Sequence, residues 1–260
     1  MEGKNVEEIS YEIIGLLIGA GFIAAFIDSV VGGGGLISLP AIMMTGVSPV
    51  VALGTNKMAS VMGAVTSFIA FVQSGKVDFR IIKYLFSISF LGSVCGVYTV
   101  QLIPPDFLKP MVIVMLICVT VYSLLKKNWG KQSTYSGLNK RKLILAVVVT
   151  FAMGFYDGFF GPGTGSFMLF GFLCIGFDFI GAAANARALN FASNIAAALF
   201  FSYLGYVNYY YAIPMGIGMI MGAVLGTKMA LSKGAGYVRT LFIFMTTILI
   251  SKQIWDMFKN

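Results

Sequence analysis

The sequence contains no histidine. That excludes imidazole-based zinc sites, Ser–His catalysis and haem ligation by histidine. Cysteine is scarce too: Cys95, Cys118 and Cys174 stand singly inside apolar runs, with no metal-ligand spacing and no disulfide framework. No Gly-x-x-x-x-Gly-Lys-Ser/Thr occurs, which argues against an ATP-driven pump carried by this chain alone. The glycine runs do not follow a soluble strand, so a dinucleotide site fits poorly, and no cofactor or metal is expected. Charge is the remaining shortage. Only 11% of the 260 residues are charged and 58% are hydrophobic, whereas soluble domains are about 25% charged. A soluble core of this size cannot hide so much apolar surface, so lipid must be the solvent. With roughly 20 apolar residues per span, the chain has room for about ten segments, some of them short.

The charge that is present is mostly basic, with a net value of +8. In a soluble protein this would raise nucleic acid as a partner. Here it reads as cytoplasmic loops that fix orientation, with no nucleic acid involved. The run Ile13–Ile27 has the length of a signal-peptide core. Its leader is acidic (Glu2, Glu7, Glu8, Glu12), however, and the run recurs later, so it reads as part of the mature protein.

The recurrence extends over the whole chain. At a shift of 130 positions Gly33 falls on Gly163, Gly35 on Gly165, Gly46 on Gly176, Lys57 on Arg187, Gly75 on Gly205, Gly92 on Gly222 and Gly96 on Gly226. Five segments are expected in each half: 11–31, 35–46, 49–73, 80–102 and 107–126, then 142–160, 165–176, 179–203, 208–229 and 237–257. The second of each set, "LISLPAIMMTG" and "SFMLFGFLCIG", is too short to cross a bilayer straight and is either re-entrant or oblique and broken. Both options give an odd number of crossings per half, which turns the second half over. The expected fold is therefore an all-α integral membrane protein of two inverted five-segment repeats. These are residues 1–126 and 142–260, joined by a cytoplasmic linker at 127–141.

Charge placement sets the expected orientation. One side collects Lys76, Arg80, Lys83, Lys126, Lys127, Lys131, Lys140, Arg141, Lys142, Lys228, Lys233 and Arg239, with Asp78 as the acid among them. The other collects Glu2, Glu7, Glu8, Glu12, Asp106 and Asp256, with Lys4, Lys109, Lys252 and Lys259. The basic side is cytoplasmic by the positive-inside rule, which puts both termini outside. Tyr203, Tyr206 and Tyr209 to Tyr211 fit an outer aromatic belt.

Gly32 to Gly35 and "GPGTG" (Gly161 to Gly165) interrupt the halves at matched places. Non-helical backbone at membrane depth persists only where protein or a water-filled cavity satisfies it. Paired interruptions of this kind point to a transporter's binding site. The short helices that follow present N–H groups and a partial positive charge to an anion. Tight helix crossing through small residues is the structural alternative.

These motifs resemble a known family. "GGGGLISLPAIMMTGVSPVVALGTNKMASVMGAVTSFIAFVQSGKVDF" is similar to the first repeat of the TauE/SafE sulfite exporters, also described as toluene-sulfonate uptake permeases. "GFFGPGTGSFML" and "ARALNFASNIAAALFFSYLGYVNY" are similar to the second. Pro162 and Thr164 stand where the family often has more glycine. The resemblance implies a multi-span inner-membrane carrier of sulfite, sulfonates or related organosulfur anions.

The remaining candidates are polar residues inside the spans. Lys57 and Arg187 read either as two cations facing one anion or as bases paired with buried acids; unpaired, each costs about 2.5–3.5 kcal/mol at a bilayer centre. Asn190 and Asn194 share the helix face of Arg187, and Thr55, Asn56 and Ser60 surround Lys57. Such neutral donors suit a sulfo oxyanion, and interhelical hydrogen bonding is the alternative. Gly33, Gly34, Gly35, Gly163, Thr164 and Gly165 complete the expected substrate site. Asp28 and Asp157 precede the two breaks, one register apart, and are candidates for proton coupling, for salt bridges to the two bases or for capping. The competing functions are an anion channel and an intramembrane aspartyl protease. "FYDG" supplies a Tyr-Asp, but no Gly-x-Gly-Asp occurs and Asp28 comes before it, not after. The expected partners are a small sulfur-containing anion and membrane lipid, and a homodimer is among the assemblies this architecture allows.

Overall fold

The computed structural model describes residues 11–102, 130, 132–137 and 139–259, and among these all regular structure is helical. The elements are α1 (Tyr11–Val31), α2 (Gly35–Met43), α3 (Pro49–Gln73), α4 (Phe79–Val100), α5 (Lys140–Phe159), α6 (Thr164–Ile175), α7 (Phe179–Tyr203) and α8 (Tyr209–Lys259). α8 is broken at Gly234 (φ 79, ψ −175), so the expected segments 208–229 and 237–257 are its two arms. The expected segment 107–126 lies outside the described residues.

Local sequence sets the helix ends. Proline opens α3. Asp78, Asn139 and Asp178 cap α4, α5 and α7 by accepting from backbone N–H groups one turn in. Gly46 and Gly176, then Gly75 and Gly205, close the preceding helices with positive φ.

Among the described residues four helices are long and apolar enough to cross a membrane: α1, α4, α5 from Lys142, and α8 through Met245. The chain is thus built for a lipid environment. α3 and α7 have 25 residues each, long enough to span at 1.5 Å per residue, but they carry their polar residues inward. Every residue of α7 from Gly181 to Asn190 is buried. A helix buried on all sides belongs at the centre of a bundle.

α3 and α7 cross there. α1 packs along α8 and α4 packs along α5, with small residues at the seams. Gly92 and Gly96 of α4 meet the carbonyls of Phe151 and Phe155, and Gly222 and Gly226 of α8 meet those of Phe22 and Phe26. A Cβ at any of these glycines collides with backbone, so glycine is what allows such close approach. The glycines correspond at a shift of 130 and their partners at a shift of 129. The first helix of each half is therefore offset by one residue, which places Asp28 and Asp157 at equivalent positions. Hydrogen bonds repeat in the same way: Asp78 N donates to Asn185 Oδ1 (2.9 Å) and Asn208 N donates to Thr55 Oγ1 (3.0 Å).

The short helices fold back. α5 and α6 hold 20 and 12 residues; end to end they would extend about 48 Å. Yet Tyr135 stacks on Phe177, just past α6, with ring centroids 4.3 Å apart, while Asn139 caps α5. Four residues of chain reach at most ~14 Å, so α6 returns alongside α5. In the first half α2 packs against α1, and Leu17 of α1 belongs to the same buried cluster as Leu39 and Ile42 of α2.

Candidate functional site

The two glycine breaks touch each other at the centre of the molecule. Gly32 and Gly33 (φ 85 and 96) and Gly161 and Gly163 (φ 93 and 87) hold backbone conformations that side chains resist. A Cβ on Gly32 would strike the backbone of Gly165 and Ser166, and one on Gly35 would lie 3.4 Å from Pro162 Cα. Side chains fasten the crossing: Ser166 Oγ donates to Val31 O (2.9 Å) and the Tyr156 hydroxyl donates to Pro162 O (2.5 Å). α2 and α6 start here, so two helix N-termini point at one place.

A cavity of about 40 Å³ lies at this crossing, room for a few waters or a small ion at the ~10–15 Å³ one water needs. Lys57, Asn56, Asn190 and Asn194 line it, with Asp28 and Asp157. So do Gly33, Gly34, Gly35, Gly163, Thr164 and Gly165. Arg187 and Thr55 do not. Thr55 is occupied in holding the turn before α8 through Asn208. Arg187 sits behind Gly165, its Nη2 in the space that a Cβ on that glycine would fill.

Both bases are paired, each with the acid of the opposite half. Lys57 Nζ lies 2.8 Å from Asp157 Oδ1, with the two side chains 3% and 2% exposed. Arg187 Nη1 contacts Asp28 Oδ2 and lies 3.4 Å from Asn190 Oδ1. Asp28 Oδ1 also accepts from Gly34 N (3.2 Å), inside the break. The two aspartates are thus bound to bases and not to each other, unlike a proteolytic dyad whose carboxylates share a proton. Asp157 Oδ2, Asn56 Oδ1 and Arg187 Nε and Nη2 are buried without a hydrogen-bond partner.

Sequence reasoning missed part of this lining. Ser29, Ser38, Ser67, Gly63 and Met219 face the cavity. A signal existed: Asn56, Ser60, Gly63 and Ser67 recur at helical spacing along one face of α3. Tyr203, Tyr209 and Tyr210 are exposed, whereas Tyr206 and Tyr211 pack partly inward.

The family model described as sulfite exporter TauE/SafE matches residues 17–252. A probable membrane transporter protein of Haemophilus influenzae is 36% identical over 250 residues, covering 96% of this chain and 97% of that protein. The probable membrane transporter protein ORF9 of a Sinorhizobium species is 34% identical over 252 residues, covering 96% of each. The probable membrane transporter protein YfcA of Escherichia coli K12 is 34% identical over 249 residues, covering 95% and 92%. No solved structure matches.

Proposed function

We propose, from the premise that the chain belongs to the sulfite exporter TauE/SafE family of membrane transporters, that it is a secondary transporter of a small sulfur oxyanion in the cytoplasmic membrane. Sulfite is the first candidate substrate, and sulfonates or related organosulfur compounds are the alternatives. The carrying observation is a single cavity at the crossing of two glycine breaks, where buried Lys57, the amides Asn56, Asn190 and Asn194 and two helix N-termini converge. Fixed donors and dipoles of this kind favour an anion and disfavour a cation. The cavity's size favours an ion of a few heavy atoms over a bulky sulfonate. Arg187 contributes by holding Asp28 and the break in place.

We read the two halves as inverted repeats, with α2 and α6 re-entrant and both termini outside. The contacts that recur at shifts of 130 and 129 support this, as does the basic side of the chain. Alternating access then exchanges the conformations of the halves around the cavity, with export down the anion's own outward gradient as the direction. Thr134 is exposed in the linker, so Thr134→Cys should resist an impermeant thiol reagent applied to intact cells. Strong labelling there would reverse the orientation.

The functional test is flux through purified protein in liposomes, with labelled sulfite, thiosulfate and methanesulfonate. Saturable uptake stimulated by the same anion on the far side is expected. Flux without such stimulation would make the protein a channel.

A further inference from the structure

Lys57, Asp157, Arg187 and Asp28 sum to zero charge in the buried site. An anion arriving alone would leave that site with a net negative charge at membrane depth, where uncompensated charge is heavily penalised. Something positive has to arrive with it. Resting on the anion-carrier reading, we propose that Asp157 is a proton-binding site, and that the anion and one proton occupy the cavity together.

The two acids are not equivalent in this respect. Both oxygens of Asp28 are engaged, one by Arg187 and one by the Gly34 N–H, and its base cannot give up a proton. Asp157 has one oxygen on Lys57, while Oδ2 is buried with no donor at all. It also lines the cavity. When an oxyanion takes over the Lys57 ammonium, the Asp157 carboxylate loses its only counter-charge. A proton from water then binds a carboxylate oxygen, giving the neutral acid. Lys57 stays an ammonium, a monoanion stays ionised, and the loaded site is neutral again. On release the proton leaves and the Lys57–Asp157 pair re-forms.

Among the described residues no other charged group competes for this role near Asp157. Tyr156, beside it on α5, has its hydroxyl committed to Pro162 O. α3 contributes Lys57, and α7 contributes Arg187, committed to Asp28. On α4 the ionisable Arg80, Lys83, Tyr84, Cys95 and Tyr98 are all exposed, as are Cys174 of α6 and Tyr203 of α7.

The test is proton uptake on anion binding, read with a pH indicator in weakly buffered detergent solution. Sulfite, thiosulfate and methanesulfonate are the probes; the last two carry no titrating proton near neutrality, so any proton taken up goes to the protein. Wild type should take up about one proton per bound monoanion, and an inward proton gradient should drive the same anion into liposomes. Asp157→Asn, which keeps the shape, should take up no proton with the anion it binds. Glu12→Gln, at an exposed acid outside the cavity, should take one up as wild type does. Anion binding by wild type with no proton uptake, or flux driven by a sodium gradient instead, would overturn the proton site and leave the carrier intact, and neither result needs a variant that folds. Unchanged uptake in Asp157→Asn would overturn it too. If none of the three probes binds, the carrier reading fails and the proton site fails with it.

Discussion

Lys57 and Arg187 stand at matching places on α3 and α7, and each is held by the aspartate that ends the first helix of the other half. Yet the two pairs are built for different work. Arg187 is enclosed between Asp28, Asn190 and Gly165, and its acid is bound a second time by the break's own backbone. Lys57 has one partner, faces the cavity and leaves the far oxygen of that partner open. A planar guanidinium that never deprotonates suits a clamp, and a compact ammonium on a flexible stem suits an exchangeable contact. On the proposed reading, the two matching positions hold one fixed pair and one movable pair.

The largest effect should come from breaking the fixed pair. Arg187→Ala should lower stability by about 3–5 kcal/mol, because it strands Asp28 beside the crossing of the breaks. Thermal unfolding in detergent reads this, and Arg187→Lys should recover only part of it. Lys57→Met should lose less stability, because the stranded Asp157 can take up a proton and become neutral, but should bind anion about a hundredfold more weakly, as loss of a charge-assisted contact implies. If the two variants exchange these phenotypes, the division of labour is wrong.

The glycines sharpen the same contrast. Gly33→Val and Gly163→Val force side chains into left-handed backbone, at about 1–3 kcal/mol each, and should impair transport by protein that still inserts. Gly15→Ala and Gly19→Ala are the controls. Nothing lies within 4 Å of a Cβ at either position, so flux should be unchanged. Normal transport by both valine variants would leave only a packing role for the breaks. A smaller effect is expected where Ser89 and Ser93 of α4 donate to the carbonyls of Leu189 and Ser193 on α7. At the matching places of the other seam, α8 carries Met219 and Ala223. Ser89→Ala or Ser93→Ala should each cost about 1 kcal/mol, measured by thermal unfolding, while Met219→Ala should change anion affinity more than stability.

The helices, the two breaks and the duplicated positions of Lys57 and Arg187 were readable from hydropathy and glycine spacing. The one-residue offset between Asp28 and Asp157 was readable as well, and its cause lies in the register of the glycine seams that pair α1 with α8 and α4 with α5. Which acid meets which base was not readable, because both pairs form across halves, 100 residues apart for Lys57–Asp157 and 159 for Arg187–Asp28. Only the crossing of the breaks brings them together. Thr55 shows the limit of residue type as evidence. A hydroxyl beside Lys57 in sequence points away from it on the helix and caps a distant turn, as Asn185 does in the other half.

The central claim is that a small sulfur oxyanion is carried at Lys57. Counterflow of labelled sulfite into liposomes, with wild type and Lys57→Ala incorporated at equal density, tests it most directly. The expected result is trans-stimulated uptake by wild type and a loss of at least about tenfold in the variant, equivalent to ~1.4 kcal/mol. Equal uptake by the two proteins would contradict it.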